Sequence, residues 1–433
     1  MSPPQSHRIR NPFRTPSGAL WTIVLVWAAT RLVLLLMVTE VLPNPWPFVT
    51  GDVRFIYREW YDVLCSGTFP VDDVRWQYPP GAAGVLLLPG LLPFDYATSV
   101  YLVMIAADAL VLWLLARTIP RGAAPHGAAL WVVAVPLLGP MILARYDLAV
   151  TAPTVAALLL IGSRRTDRNL FAGLLAGFAA AIKVWPVLIF VGLRGRGRMA
   201  RVYGWTLLGG AVVVFAFAAA LPGAFAFLGY QRERGIEVES VFALPFHVAT
   251  RFGWSGRVQE SYGSLEFHGP YVSAIGRLSL IASVLGFAWL LLWRVRARRF
   301  TGATACDAAL CALLIFVVTS RVISPQYLVW LIGLAAVCLL RPDTTQRPVA
   351  VLLLCAMPLT LLEFPIWFGE LLGSQVKAVL ALGLRNALLV AATVVSGRRL
   401  WRASRAVEDV AEAEAPDQAA AVGAARRPAE TSV

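Results

Sequence analysis

The sequence predicts an all-α polytopic membrane protein with about ten full spans, a short membrane hairpin and two long outer loops. Three observations predict it. Of 433 residues, 58% are hydrophobic and 15% charged, with a mean hydropathy of +0.68, where a soluble domain carries about 25% charge. Apolar runs of about 20 residues, enough for a hydrocarbon core of ~30 Å, recur along most of the length. The net charge of +13 sits almost wholly on arginines in short junctions between those runs. That is the positive-inside distribution, so lipid is the expected surround and nucleic acid is excluded as a partner.

Residues 1–18 read as a cytoplasmic segment, because Arg8, Arg10 and Arg14 precede the first apolar run, and 20–39 reads as an uncleaved first span. The first outer loop, 40–97, carries Glu40, Asp52, Glu59, Asp62, Asp72 and Asp73. Within it, 79–93 is apolar but short and broken by Pro79, Pro80, Pro89 and Pro93, which suits a re-entrant or interfacial element. Spans follow near 98–117, 127–143 and 147–162.

The run 170–193 has arginines at both ends, Arg164, Arg165 and Arg168 before it and Arg194, Arg196, Arg198 and Arg201 after it. One crossing would put one cluster outside, so the run is expected to fold back at Lys183-Val184-Trp185-Pro186 as a hairpin with its tip outward. Further spans are expected at 202–221, 272–293, 303–319, 324–341, 348–366 and 374–395, with a second outer loop at 222–270. The transmembrane domain thus covers 19–395, and 396–433 reads as a disordered cytoplasmic tail rich in Ala, Glu and Pro.

The polar groups that the positive-inside rule does not explain collect toward the outer ends of the spans. They are Asp52 and Tyr78, Arg145-Tyr146-Asp147, Lys183, Arg232 to Ser240 with Arg234 and Glu239, and Arg321 with Ser324-Pro325-Gln326-Tyr327. Cations at membrane depth are costly and line cavities or substrate paths, and outward Arg and Lys suit a phosphate on a lipid carrier. Each also has a plainer reading. Arg145 and Asp147 could be a cap and a local ion pair, and Lys183 could reach the interface along its stem. Arg232-Glu233-Arg234 could be a solvated cluster, and Asp52 could cap a helix over Val53–Leu64. Arg31 and Asp108 fall near mid-membrane on the first two full spans and are expected to form a structural ion pair. His247 and His268 lack metal-site spacing, and the five cysteines form no disulfide framework, so neither metal nor cofactor is expected.

In order along the chain, Asp52 with Tyr78-Pro79-Pro80, Arg-Tyr-Asp-Leu at 145–148, Lys-Val-Trp-Pro at 183–186, Arg234-Gly235 with Glu239-Ser240, and Ser-Pro-Gln-Tyr at 324–327 resemble the polyprenol-phosphate-mannose-dependent α-mannosyltransferases of glycosyltransferase family 87. The resemblance runs over about 20–395 and rests on the ordered set, not on any single motif. It implies a GT-C-type helical bundle, a polyprenyl-phosphate-linked sugar as donor, and a glycolipid or glycan acceptor on the outer face. Asp52 is then the general base, with Asp72 and Asp73 as competitors for the role. Lys183, Arg234, Arg321 and Arg145 are the candidates for the donor phosphate. Tyr78, Asp147, Glu239, Gln326 and Tyr327 are the candidates for the sugars. A secondary transporter or flippase for sugars or polyprenyl-linked glycans is the competing class. Transporters favour midplane sites and inverted repeats, neither of which is visible here.

Overall fold

The structure, a computed structural model, describes residues 18–119, 123–161, 166–230 and 234–405. The basic N-terminal segment before Gly18, the tail beyond Arg405, and Arg121, Arg164, Arg165, Arg232 and Glu233 lie outside the described residues.

Helix α1 (Gly18–Val38) opens the chain, and the first loop holds α2 (Arg58–Cys65) and α3 (Ala82–Leu87) before α4 (Tyr96–Thr118). Next come α5 (His126–Ala134), α6 (Asp147–Leu160), α7 (Thr166–Ile182) and α8 (Arg196–Ala220). The second loop contains α9 (Phe227–Tyr230) and α10 (Leu244–Thr250). It leads to α11 (Val272–Arg296), α12 (Thr304–Thr319), α13 (Tyr327–Leu339), α14 (Arg347–Leu361), α15 (Phe368–Leu372) and α16 (Val376–Arg405).

Among the described residues, six stretches are long and apolar enough to cross a membrane: α1, α4, α8, α11, Arg347–Ile366 continuing α14, and α16. The other four expected spans are shorter helices. α5 breaks at Val135–Leu138 and Pro140–Leu143, two tight turns that each carry a proline, because proline cannot donate to the helical ladder. α6, α12 and α13 are short for a different reason. They are almost wholly buried and form the centre of the bundle, whereas α1, α8 and α11 expose apolar side chains such as Leu25, Leu207 and Leu285, which suits a lipid surround.

The run 170–193 consists of α7, a break at Lys183-Val184, and a tight turn at Trp185–Phe190. Its two ends meet: Arg198 donates to the Ile161 carbonyl at 2.7 Å and to Asn169 Oδ1 at 2.8 Å. α8 then packs along α7 closely enough that a Cβ at Gly177 would sit 2.2 Å from the Thr206 carbonyl oxygen, the small-residue contact that membrane helices use in place of a hydrophobic drive.

Two expectations need correction. The chain is mostly helical but not all-α, since the second loop carries an antiparallel sheet of β1 (Ile236–Glu237), β2 (Arg257–Ser261) and β3 (Ser264–His268) in the order β1-β3-β2. Tyr262 and Gly263, both at positive φ, make the two-residue turn that matches strand twist. Residues 396–405, assigned to the tail, instead continue α16, because Trp293 Nε1 donates to Ser404 Oγ at 3.1 Å and Leu400 is buried.

Both long loops cover one end of the bundle. The Phe69 amide donates to the Pro222 carbonyl, and the Glu237 amide to the Arg321 carbonyl. The arginine-rich junctions meet at the other end, where Arg294 donates to the Leu193 carbonyl and the Arg298 and Arg299 amides to the Ser404 carbonyl. Between the ends, Arg31 and Asp108 form the expected buried pair, with Nε 3.0 Å from Oδ2 and Nη2 3.2 Å from Oδ1. The Val132 carbonyl and the Trp27 indole complete it.

Candidate active site

Three helix ends and one loop build the site. α6 starts at Asp147, α7 ends beside Lys183 and α13 starts at Tyr327. This puts a carboxylate in a first helical turn and an ammonium at a helix C-terminus, the arrangement helix dipoles favour. Lys183 Nζ lies 2.7 Å from Asp147 Oδ1, with Asp147 1% exposed. Four rings wall the ammonium, those of Tyr146, Trp330, Tyr78 and Tyr327, at 4.8, 5.1, 5.6 and 5.7 Å. Each ring face attracts the cation. An ammonium has three N–H donors, and only the bond to Asp147 is made among the described residues.

Tyr78 reaches this cage because the Gly81 amide donates to the Ala181 carbonyl at 2.9 Å. A Cβ at Gly81 would lie 2.6 Å from that same oxygen, so the Tyr-Pro-Pro-Gly turn needs glycine there. Burial, with the Asp147 and Asp52 carboxylates adding to it, pushes the Tyr78 phenol up to about 12.

Asp52 begins a π-helical turn, Asp52–Tyr57, that runs into α2, and such turns recur at functional sites. The capping position is Gly51 and no side chain caps the turn, so the capping reading of Asp52 does not hold. Its carboxylate instead meets Arg145 Nη2 at 3.2 Å. Arg145 is anchored by donating to the Val49 and Ala144 carbonyls. Tyr57, in the same turn as Asp52, packs against the cage, with its ring centroid 5.7 Å from that of Tyr146.

The competing acids lie differently. Asp73 accepts from Trp60 Nε1 and from the Arg75 amide and guanidinium. Burial raises its carboxyl, and these bonds outweigh burial to leave it lowered. Asp72 is exposed.

Arg234 and Arg321 stand beside the cage but are committed to protein partners. Arg234 pairs with Glu266 at 3.2 Å and donates to Ser264 Oγ, and Arg321 donates to the Arg234 carbonyl. Gln326 is half-buried at the start of α13. Glu239 is not part of the cage. It is buried near the fully buried Arg385–Glu363 pair, whose Nη2–Oε2 distance is 2.7 Å, and its own carbonyl accepts from Arg385. His247 is satisfied by Ser374 Oγ and the Val238 carbonyl, as expected of a core histidine.

The sequence reading missed Tyr57, Trp330 and the Arg385–Glu363 pair, and took in Glu237 only as part of the Arg232 to Ser240 stretch. Trp330 was within reach, since it lies three residues after Tyr327 and so on the same helix face. Glu237 accepts from the Ile323 amide at 2.6 Å and from Ser324 Oγ at 3.1 Å, tying the second loop to the α12–α13 junction. No local pattern announces that contact. Cys306, Asp307 and Cys338 bring their ligating atoms within 4.8 Å of one another. The Asp307 oxygens accept from Thr344 and Thr345, which fastens the turn after α13 to α12.

The profile of Glycosyltransferase family 87 matches residues 76–325, more than half of the chain. Among solved structures, the chain is similar to ArnT from Cupriavidus metallidurans bound to undecaprenyl phosphate, at 15% identity and a TM-score of 0.47, over 90% of this chain and 78% of that one. It is also similar to the apo state of the same protein, at 15% identity and a TM-score of 0.44, over 88% and 78%. No curated protein matches.

Proposed function

The chain belongs to glycosyltransferase family 87, and we propose that it moves a sugar, mannose in our reading, from a polyprenyl-phosphate donor to a hydroxyl of a glycolipid or glycan. The end covered by the two loops faces outward from the cell membrane, and both termini are cytoplasmic. The fold is of the GT-C type, and no metal takes part.

Acceptor oxygen attacks the anomeric carbon opposite the phosphate. As the new C–O bond forms, the carbon–phosphate-oxygen bond breaks, the electron pair leaves with the lipid phosphate, and the hydroxyl proton passes to Asp52. A β-linked donor therefore gives an α-linked product. A sugar hydroxyl is too weakly acidic to lose its proton unaided, and a positioned carboxylate contributes about 10²–10⁴-fold. Arg145 aims that carboxylate. Lys183 meets the charge growing on the leaving phosphate with its two uncommitted N–H groups, which is transition-state stabilisation by a fixed cation. Tyr78, Tyr327 and Gln326 offer ring faces and an amide to the sugars. Arg234 and Arg321 act by holding the second loop over the site.

The observation that carries this reading is the convergence of the Asp52–Arg145 and Lys183–Asp147 pairs at one aromatic-walled end of the bundle. The test is incubation in proteoliposomes with polyprenyl-phosphate mannose and a membrane lipid extract, followed by mass spectrometry. A mannosylated lipid or glycan with release of polyprenyl phosphate is expected. Uptake of free sugar without transfer would refute the reading.

A further inference from the structure

α6 and α13 each start at the Lys183 cage, and with α12 they run through the centre of the bundle. At ~1.5 Å per residue their far ends lie ~20 Å away. There the chain forms a partly open pocket of about 640 Å³. Arg194, Arg198 and Arg201 line it from the hairpin return and α8, and Arg341 lines it from beyond α13. Leu158 and Val337 are among its apolar lining residues.

A positive-inside bias accounts for arginines near a membrane surface but not for their convergence, from two distant chain segments, on one cavity. Arg198 is fixed in place by the Ile161 carbonyl and Asn169 Oδ1. Arg201 makes a single long bond to the Gly197 carbonyl at 3.4 Å. Among the described residues, no carboxylate lies within ion-pair distance of Arg194, Arg201 or Arg341. The nearby acids are otherwise engaged, Asp343 with the Ala303 amide and Asp307 with Thr344 and Thr345.

We propose that this cavity is a second binding site, distinct from the transfer site, for a phosphate-bearing ligand held by Arg194, Arg198, Arg201 and Arg341. Guanidinium groups match phosphate oxygens in forked pairs. Basic pockets between membrane helices take lipid headgroups, and the apolar lining would receive the adjoining part of such a lipid. A lipid headgroup and a soluble phosphorylated anion share this chemistry.

Two arms separate the sources, both using the full chain in phosphatidylcholine nanodiscs. In one, phosphatidylglycerol is added and bound lipid is counted by native mass spectrometry. In the other, inorganic phosphate is titrated and the thermal midpoint followed. One arm should show binding that the double variant Arg194→Gln/Arg341→Gln weakens roughly tenfold or more. Loss in the first arm assigns a lipid headgroup, and loss in the second a soluble anion. Arg194 is exposed, so Arg194→Gln alone keeps the fold and should weaken binding roughly threefold. No binding in either arm, or binding unchanged in these variants, would overturn the proposal. Sugar transfer is not the readout, so this result is independent of the transferase reading.

Discussion

Arg145 and Asp52 lie 3.2 Å apart, one at the start of α6 and the other in the first loop, nearly a hundred residues away in the chain. The contact replaces a helix cap that local sequence suggests with a tertiary pair whose arginine is next in sequence to Tyr146 of the Lys183 cage.

In the proposed mechanism Arg145 positions Asp52 rather than binding the donor. Arg145→Ala should lower kcat roughly 10²-fold, the usual cost of a misplaced catalytic group, while KM for the donor changes little. Arg145→Lys should recover part of the loss. A large rise in donor KM with kcat intact would show that Arg145 binds phosphate instead.

Lys183 meets the donor phosphate in the proposed mechanism. Lys183→Ala should cut turnover by about 10²–10³-fold, and Lys183→Arg should also fail, because a planar fork does not fit a box of four rings built around a compact ammonium. Steady-state kinetics in proteoliposomes decide it, and an active Lys183→Arg enzyme would show that the cage has no steric demand.

Deep in the bundle, Arg31 and Asp108 are 2% and 1% exposed. Removing one partner leaves a buried charge at a cost of roughly 3–5 kcal/mol, so Asp108→Ala should lower folded yield in detergent chromatography. Exchanging the two residues should restore part of it. A well-folded but inactive Asp108→Ala protein would make the pair functional.

How much of this was readable in advance depends on how local each cause is. The Arg31–Asp108 pair was readable because two charges in apolar runs have few alternatives. The hairpin was readable from the arginines flanking Lys183–Pro186. The candidate residues Asp52, Tyr78, Arg145, Asp147, Lys183 and Tyr327 were singled out from ordered motifs, but their pairing was not. Nothing near Asp52 or Asp147 says which takes Arg145 and which takes Lys183, since that depends on the packing of α6 against α7. The sheet was missed although Tyr262-Gly263 lies between two short alternating stretches, because the length of the apolar runs dominated the reading. That Glu239 lies apart from the cage was hidden for the opposite reason. Its partners Glu363 and Arg385 come from the far end of the chain, and no local pattern points to them.

Glu237 gives the second loop a pH dependence. Burial pushes its carboxyl from 4.5 up to about 7, although Arg234 and the bonds from Ser324 and Ile323 pull the other way. A carboxyl raised in the folded chain stabilises the docked loop fully below 4.5, and that contribution is lost as pH rises through the folded value. Hydrogen exchange around β1, corrected for the intrinsic rate, should therefore quicken from about pH 6 to about pH 8. Glu237→Gln should flatten the profile. Identical profiles in the two proteins would remove Glu237 as the cause.

The most direct measurement compares transfer by Asp52→Asn and Asp73→Asn with the parent enzyme, using polyprenyl-phosphate mannose in proteoliposomes. Asparagine keeps the shape of the Asp52 side chain and can still accept from Arg145, but it takes no proton. Asp52→Asn should fold normally and lose about 10²–10⁴-fold in turnover, whereas Asp73→Asn, which alters only the contacts with Trp60 and Arg75, should stay near the parent rate. Near-normal transfer by Asp52→Asn, with activity lost in Asp73→Asn instead, would contradict the account.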